Sequence, residues 1–522
     1  FLAGLVGASL VGGVARFFQR IYMIGASRRF EYDLRNDYFA HIQQLGQRFF
    51  RRTTTGDVMA RATNDINYVR EFIGPGVMYS VDMMRVPVAL GAMLYFSPRL
   101  TGLSLLPLPV LGVILYFFIR FLTRQSKRVQ EQFARVTARA QENLAGARVV
   151  KAFGMAAQEE EAFRMESTRY MRENIKLTAV MSTALPLLGA VVGAIIVIIL
   201  WQGGSMVIRE EIIVADLTPS TNALFVLAVL IAQCGFVMSL KKRGAVAMNR
   251  IADLMNVAPE IEDNAQTNRD ATIDAGHIAF EGVAFAYEQR PAIVDISFEV
   301  PGGQMLAIAG ATGSGKSTIA ALISREYDPS AGTVYLDGHD LRTVPLRELR
   351  RKVSVVPQDS FVFSDSIRAN VCLGRPEATE DELRAACELA QFDADVADMP
   401  AGYDTLLGER GINLSGGQKQ RLAIARALML DPHVLVLDDA LSSVDTNTEE
   451  RILQGLRRFL AGRTCVIIAH RCSTLRYAQQ ILYIEDGHIA ERGTHEALLR
   501  ADGHYAAMWR RQQLEAELEQ DA

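Results

Sequence analysis

The chain has 522 residues, a formal net charge of −4 and a pI near 6.2. That length exceeds what one hydrophobic core serves, so two or more domains are expected. The near-neutral balance offers no basis for a nucleic-acid partner. The apolar fraction of 49% is unevenly spread, with long apolar runs in the first half and the pattern of an ordinary α/β domain in the second.

A spanning helix needs roughly 20 mostly apolar residues. The chain opens on FLAGLVGASLVGGVARFF, which continues as an amphipathic helix past Tyr32. It lacks the basic leader of a signal peptide and begins without Met, so it reads as the stump of a longer chain. Further spans are expected at about 72–96, 99–122, 177–201 and 217–240. The long connections carry Arg28, Arg29, Arg35, Arg48, Arg51, Arg52, Arg61 and Arg70, and then Arg124, Lys127, Arg128, Arg135, Arg139, Arg148 and Lys151. Basic loops stay on the cytoplasmic side. The short connections, Ser97-Pro98-Arg99 and Gly203 to Asp216 with Glu210 and Glu211, face out. The last span then ends inside at Lys241-Lys242-Arg243. This count leaves Phe1 outside, so one preceding helix is expected to be missing.

Both cytoplasmic connections read as helical extensions of the spans, long enough to carry force to a domain below the membrane. Each holds a distinct segment at its turn, GDVMARATNDI (Gly56 to Ile66) and ENLAGARVVKAFGMAAQEEEAF (Glu142 to Phe163). Asp82 and Arg85 stand three apart and can pair on one helix face. Two readings stay open for them, an intramembrane functional pair and a pair near the interface. Arg16, Gln19 and Arg20 are similarly open. Pro87, Pro107, Pro109 and Pro186 can kink their helices.

From about His277 the pattern changes to short strands and turns. Met305 to Gly310 is an apolar strand, GATGSGKST follows at once, and IAALISREY continues as a helix. This is a P-loop in its required strand–loop–helix setting. Backbone N–H groups of Gly310, Ala311, Thr312, Gly313, Ser314, Gly315, Lys316, Ser317 and Thr318 can turn onto phosphate oxygens, helped by the helix dipole. Lys316 can reach the β- and γ-phosphates, and Ser317 can ligate Mg²⁺. LSGGQ, Leu414 to Gln418, precedes a second helix and offers N–H donors from Ser415, Gly416 and Gly417. One nucleotide does not need two anion cradles on one domain. The second cradle is therefore expected to serve the nucleotide of a second domain, in a head-to-tail dimer closed by two ATP molecules. Cys234, Cys372, Cys387, Cys465 and Cys472 form no CxxC pair, and four lie in this half. A reduced, cytosolic setting without zinc is expected.

At this point the chain resembles a half-size ABC exporter of the type IV fold over essentially its whole length. The resemblance implies an all-α transmembrane domain (1–245), a linker (246–276) and an α/β P-loop ABC nucleotide-binding domain (277–522). Tyr287 is similar to the A-loop aromatic that stacks on adenine, and Gly310 to Thr318 to the Walker A loop. Gln358 matches the Q-loop glutamine that touches Mg²⁺, so Ser317, Gln358 and Asp438 are the expected metal ligands. Gly408 to Gly411 resembles the X-loop. Leu414 to Gln418, with Gln418, resembles the signature, Val434 to Asp438 Walker B, and Ser442 to Asp445 the D-loop. His470 resembles the switch histidine at the γ-phosphate. GDVMARATNDI and the VVKAF segment look like coupling helices. ATP and Mg²⁺ are the implied cofactors.

One position departs from the family. The residue after the Walker B Asp is usually Glu, the general base for the attacking water. Here it is Asp439, one methylene shorter. A misplacement of about 1 Å can cost around a hundredfold in rate. A site that binds MgATP but hydrolyses it poorly is expected. With its signature intact, the chain resembles the degenerate-site half of heterodimeric bacterial multidrug exporters. The implied partner keeps Glu at that position. A homodimeric lipid flippase and a nucleotide-gated, channel-like protein are the alternatives, the last disfavoured by the short outer loops. Separate-chain importers and soluble ABC ATPases do not fit the fused spans. The cargo implied is amphipathic or lipid-like, and the expected location is a bacterial inner membrane, among lipids, with the nucleotide domain in the cytoplasm.

Overall fold

A computed structural model describes residues 2–96, 98–106, 108–211, 213 and 217–520. The chain forms two compact units, Phe1–Phe39 with Gly56–Asn256, and Ala40–Thr55 with Val257–Ala522.

The first unit is helical. The opening stretch runs unbroken as one helix, Leu2–Gln44, well beyond Tyr32. From Thr55 the chain remains helical to Phe96 but is not regular. It passes through π-turns at Arg61–Asp65 and Phe72–Gly76, the second enclosing Pro75. It breaks at Met83 and Met84, between helices Val77–Asp82 and Arg85–Phe96. Pro87 accounts for the break, because a proline lacks an N–H and its ring clashes with the carbonyl four residues earlier, here that of Met83. Arg85 and Asp82 straddle the break and pair at 2.9 Å, as their spacing predicts. Pro109 sits in the first turn of helix Leu108–Ala145, where a missing N–H costs nothing. Helix Ala156–Ile208 continues through Pro186. Pro107 lies outside the described residues.

Among the described residues one helical stretch, Thr55–Tyr95, is long and apolar enough to cross a membrane, with mean hydropathy 1.3. The other expected spans fall in Leu2–Gln44, Leu108–Ala145, Ala156–Ile208 and Leu217–Met255, with the span expected over 99–122 beginning in the short helix Pro98–Leu105. The two short connections meet, since Arg99 pairs with Glu211 at 3.1 Å. At the opposite end, Leu108–Ala145 and Ala156–Ile208 extend side by side as an antiparallel pair. Polar rungs join them: Gln125 donates to Glu173 at 2.7 Å, Gln132 to Glu166 at 2.5 Å, and Asn143 to Glu159 at 2.9 Å. Asp65, 4% exposed, accepts two bonds from Arg250 at 2.8 and 2.5 Å, which ties the π-turn to the last helix of the unit. That helix runs to Met255, into the stretch expected as linker.

The turn of the first long connection differs from expectation. The short helix at the reversal is Gln47–Arg52, and GDVMARATNDI lies after it, at the foot of the returning helix. Thr53 and Thr54 separate the two, so chain direction changes before Gly56. In the second connection the short helix is Ala147–Ala152, inside the expected segment.

The second unit is α/β. An antiparallel sheet has the order β2-β1-β4-β5, from β1 (Ile278–Tyr287), β2 (Arg290–Val300), β4 (Ala331–Leu336) and β5 (His339–Asp340). A six-stranded sheet has the order β10-β9-β3-β8-β7-β6. Its members are β3 (Met305–Gly310), β6 (Val353–Val356), β7 (Val434–Asp438), β8 (Thr464–Ile468), β9 (Gln480–Glu485) and β10 (His488–Gly493). All neighbours from β9 to β6 are parallel. A parallel sheet is covered on both faces, which is why β3, β7 and β8 are continuous apolar runs and wholly buried. Alternate residues serve the two faces. Met305, Ala307, Leu435 and Leu437 pack in one core, and Leu306, Ile308, Val434 and Val436 in the other.

Candidate functional site: a phosphate-binding cavity at the strand ends

In an open parallel sheet, ligands bind beyond the carboxyl ends of the strands. Here β8 lies between β3 and β7, and Ile468 pairs with both Ile308 and Asp438. Three loops that are remote in sequence therefore leave the sheet side by side. They carry Lys316, Asp438–Asp439 and His470. Gln358 follows β6, the next strand out.

A cavity of about 1390 Å³ opens at this edge. Of the residues expected from sequence, Tyr287, Thr312, Gly313, Gly315, Lys316, Ser317, Thr318, Gln358, Asp438, Asp439 and His470 line it. Gly310, Ala311 and Ser314 are not part of its lining, and Gly310 and Ser314 are buried. Ser415, Gly416, Gly417 and Gln418 are not part of its lining. The signature instead forms a separate helix start. Ser415 caps helix Gly416–Met429 by accepting from the Gln418 N–H, and Gln418 accepts in return from the Ser415 N–H at 2.9 Å.

The P-loop conformation depends on glycine. Gly313 and Gly315 take φ of +83° and +105°, and helix Lys316–Ile323 starts immediately after. The expected helical run ends early, at Ser324, because Arg325 turns left-handed (φ +51°). Lys316 is 5% exposed, and its Nζ donates to the Gly310 and Ala311 carbonyls at 3.0 and 2.7 Å. Burial lowers its pKa, opposed by Asp438 and Asp439. Ser317 Oγ donates to Asp438 Oδ1 at 3.1 Å. Burial raises the Asp438 carboxyl, and Asp439 adds to this, against the Ser317 bond, Lys316 and His470. Two acidic groups and one cation are thus held partly desolvated, the arrangement expected where a polyanion and a divalent ion belong.

The donor set fits Mg²⁺. Ser317 and Asp438 present hard oxygens in contact, and Gln358 keeps an amide oxygen as a further donor. Ser314 Oγ is buried with no hydrogen-bond partner among the described residues.

Asp439 stands on a left-handed backbone, φ +48°, which Asp tolerates better than most residues. Its Oδ2 accepts from Gln358 Nε2 at 3.3 Å. Its N–H donates to the Ile468 carbonyl at 2.9 Å, which anchors the turn to β8. Burial raises its pKa, opposed first by His470 and then by Lys316.

Sequence reasoning missed several lining residues. Arg48, Arg51 and Arg52 stood out only as loop charges. The Arg51 guanidinium lies 4.3 Å from the centre of the Tyr287 ring, and Arg52 pairs with Glu288 at 3.0 Å. Phe285 and Tyr327 meet Tyr287 edge-on, at 4.9 and 5.5 Å between centroids. Nothing in the wording QRFFRR signals that contact. Among the described residues there is no disulfide, and Cys372, Cys387, Cys465 and Cys472 are buried free thiols.

Comparison with known proteins agrees with this geometry. Residues 1–238 match the family model described as ABC transporter transmembrane region, and 293–442 the one described as ABC transporter. The chain is 35% identical over 99% of its length to the multidrug resistance-like ATP-binding protein MdlA of Escherichia coli, covering 88% of it. It is 32% identical to the ATP-dependent lipid A-core flippase of Desulfotalea psychrophila, over 92% of this chain and 84% of that one. A solved bacterial Atm1-family ABC exporter with ATP bound superposes with a TM-score of 0.77 at 29% identity, covering 98% of this chain and 90% of that one.

Proposed function

Since the chain belongs to the ABC transporter family, as a half-size exporter that couples ATP hydrolysis to transport, we propose that it is the weakly hydrolysing half of a heterodimer. Half-size exporters work as dimers, with a membrane-embedded helical domain and the nucleotide domain on the cytoplasmic side. The observation that carries the finer reading is Asp439, placed at the cavity edge with a side chain one methylene short.

Each residue has a role in this reading. The loop N–H groups and Lys316 bind the β- and γ-phosphates, and Tyr287 stacks on the adenine. Ser317, Asp438 and Gln358 hold Mg²⁺, which when bound neutralises charge on the phosphates. His470 hydrogen-bonds the γ-phosphate. Asp439 accepts the proton of the attacking water. Its side chain is one methylene shorter than Glu, and this reading takes its reach as the limit. Ser415, Gly416, Gly417 and Gln418 lie outside this cavity and complete the partner's site. Closure of the two nucleotide domains on ATP is carried by the helical arms into outward opening of the spans, and hydrolysis resets them.

The cargo class is amphipathic small molecules or lipids, in line with the names of the multidrug and lipid A-core relatives. The location is the bacterial inner membrane.

The test is ATPase activity of the chain purified alone, with any preceding membrane helix included, and then with the product of an adjacent half-transporter gene. Silence alone and activity together support the heterodimer. Strong activity alone identifies a homodimeric exporter and sinks the weak-site reading. Asp439→Glu should raise hydrolysis at this site by about 10- to 100-fold, less the small cost of placing Glu at φ +48°. An unchanged rate would put the limit in the partner's signature.

A further inference from the structure

The switch histidine is held by an element that the nucleotide motifs do not include. After Ala469 donates to the Ile308 carbonyl at 3.3 Å, β8 has no further sheet bond, and His470 begins a loop. Gln512, on the C-terminal helix His504–Gln520, spans that loop. Its Nε2 donates to the His470 carbonyl at 2.5 Å, and its Oε1 accepts the Cys472 N–H at 2.9 Å. Only one orientation of the amide satisfies both bonds.

The helix that presents Gln512 is itself anchored. Tyr505 is fully buried and hydrogen-bonds His495 Nδ1 at 2.8 Å, and Glu491 accepts from the His504 and Tyr505 N–H groups at its first turn. Tyr505 packs in the same core as Cys472 and Leu475. On the other side of the loop, Arg471 donates to the Val444 carbonyl at 2.9 Å and to Glu449 at 2.6 Å. Glu449 is 2% exposed and also accepts from Thr474. The stretch from His470 to Cys472 is thus held through its backbone by Gln512 and through the Arg471 side chain by Val444 and Glu449.

We infer that Gln512 is a positioning residue for His470, so that discrimination of a γ-phosphate at this site depends on the C-terminal helix. The inference rests on the reading of His470 as the γ-phosphate contact. Gln512 lies on a different element from every residue of the cavity lining and acts through the backbone it holds. A shift of about 1 Å in a contacting group is enough to lose most of its interaction.

The test measures affinity of the full chain for AMP-PNP and for ADP, by competition with a fluorescent nucleotide, in four forms: unaltered, His470→Ala, Gln512→Leu and Gln512→Glu. Gln512→Leu removes both bonds. Gln512→Glu keeps the shape and the acceptor for Cys472 but loses the donor to His470. His470→Ala and both Gln512 variants should weaken AMP-PNP by about tenfold and leave ADP unchanged, the loss expected for one charge-assisted hydrogen bond. If His470→Ala shows this loss and Gln512→Glu does not, the positioning role is wrong while the histidine reading stands. Equal weakening of both nucleotides by the Gln512 variants means structural support only and also overturns it. No loss in His470→Ala removes the histidine reading and the inference with it.

Discussion

Lys316→Ala is expected to weaken ATP binding to this chain by about 100-fold, the loss of one or two bonds from a charged donor. Hydrolysis at this site should fall by about 10²–10³-fold, the usual effect of removing one preorganised donor from a developing anion. The side chain is nearly inaccessible and spans the loop to the Gly310 and Ala311 carbonyls, so it shapes the phosphate cradle as well as charging it. Lys316→Arg should not rescue, because a planar guanidinium is larger than the buried ammonium it replaces. Equilibrium binding of a fluorescent ATP analogue, alongside phosphate release by the assembled transporter, checks both numbers. Binding within threefold of the unaltered chain would remove Lys316 from the site.

Gly315→Ala should be strongly damaging to the nucleotide unit. A Cβ there would lie 2.4 Å from the Ala292 carbonyl oxygen and 2.7 Å from Ile293 Cγ2. Both neighbours belong to β2, whose backbone is held in the antiparallel sheet and cannot withdraw. The backbone also has φ +105°, outside the range L-residues adopt comfortably. Strain and overpacking together should cost about 2–5 kcal/mol. Gly313→Ala is the control. Its φ is +83°, yet nothing lies within 4 Å of the added Cβ. Only the conformational cost remains, about 1–2 kcal/mol. Thermal unfolding of the two variants should separate them by several degrees, with Gly315→Ala also losing nucleotide binding. Equal melting temperatures would contradict the close approach of β2 to the loop.

In the proposed reading, a short base is paired with an otherwise complete phosphate cradle. Ser317, Asp438 and Lys316 are placed for binding, and Gln358 reaches Asp439 rather than standing apart from it. The Asp439 carboxylate extends from a left-handed turn anchored to β8.

By itself the sequence determined the chemistry. A P-loop is contiguous, so Gly310 to Thr318 states its function in nine adjacent residues, and the buried strands Met305–Gly310 and Val434–Asp438 show as unbroken apolar runs. Asp439 was legible for the same reason, as a single departure at a fixed offset. The membrane helices were readable because length and apolarity are local properties, and the spacing of Asp82 and Arg85 sufficed for their ion pair.

Only the tertiary structure decided what sits beside what. The insertion of β8 between β3 and β7 brings His470 to Asp438 and Lys316. No periodicity encodes that order, because it depends on contacts between strands that are separated in sequence. The Arg51 guanidinium over Tyr287 and the Gln512 grip on the switch loop were invisible for the same reason. Each is made by a common polar residue in an unremarkable amphipathic stretch, and its meaning comes from its partner alone.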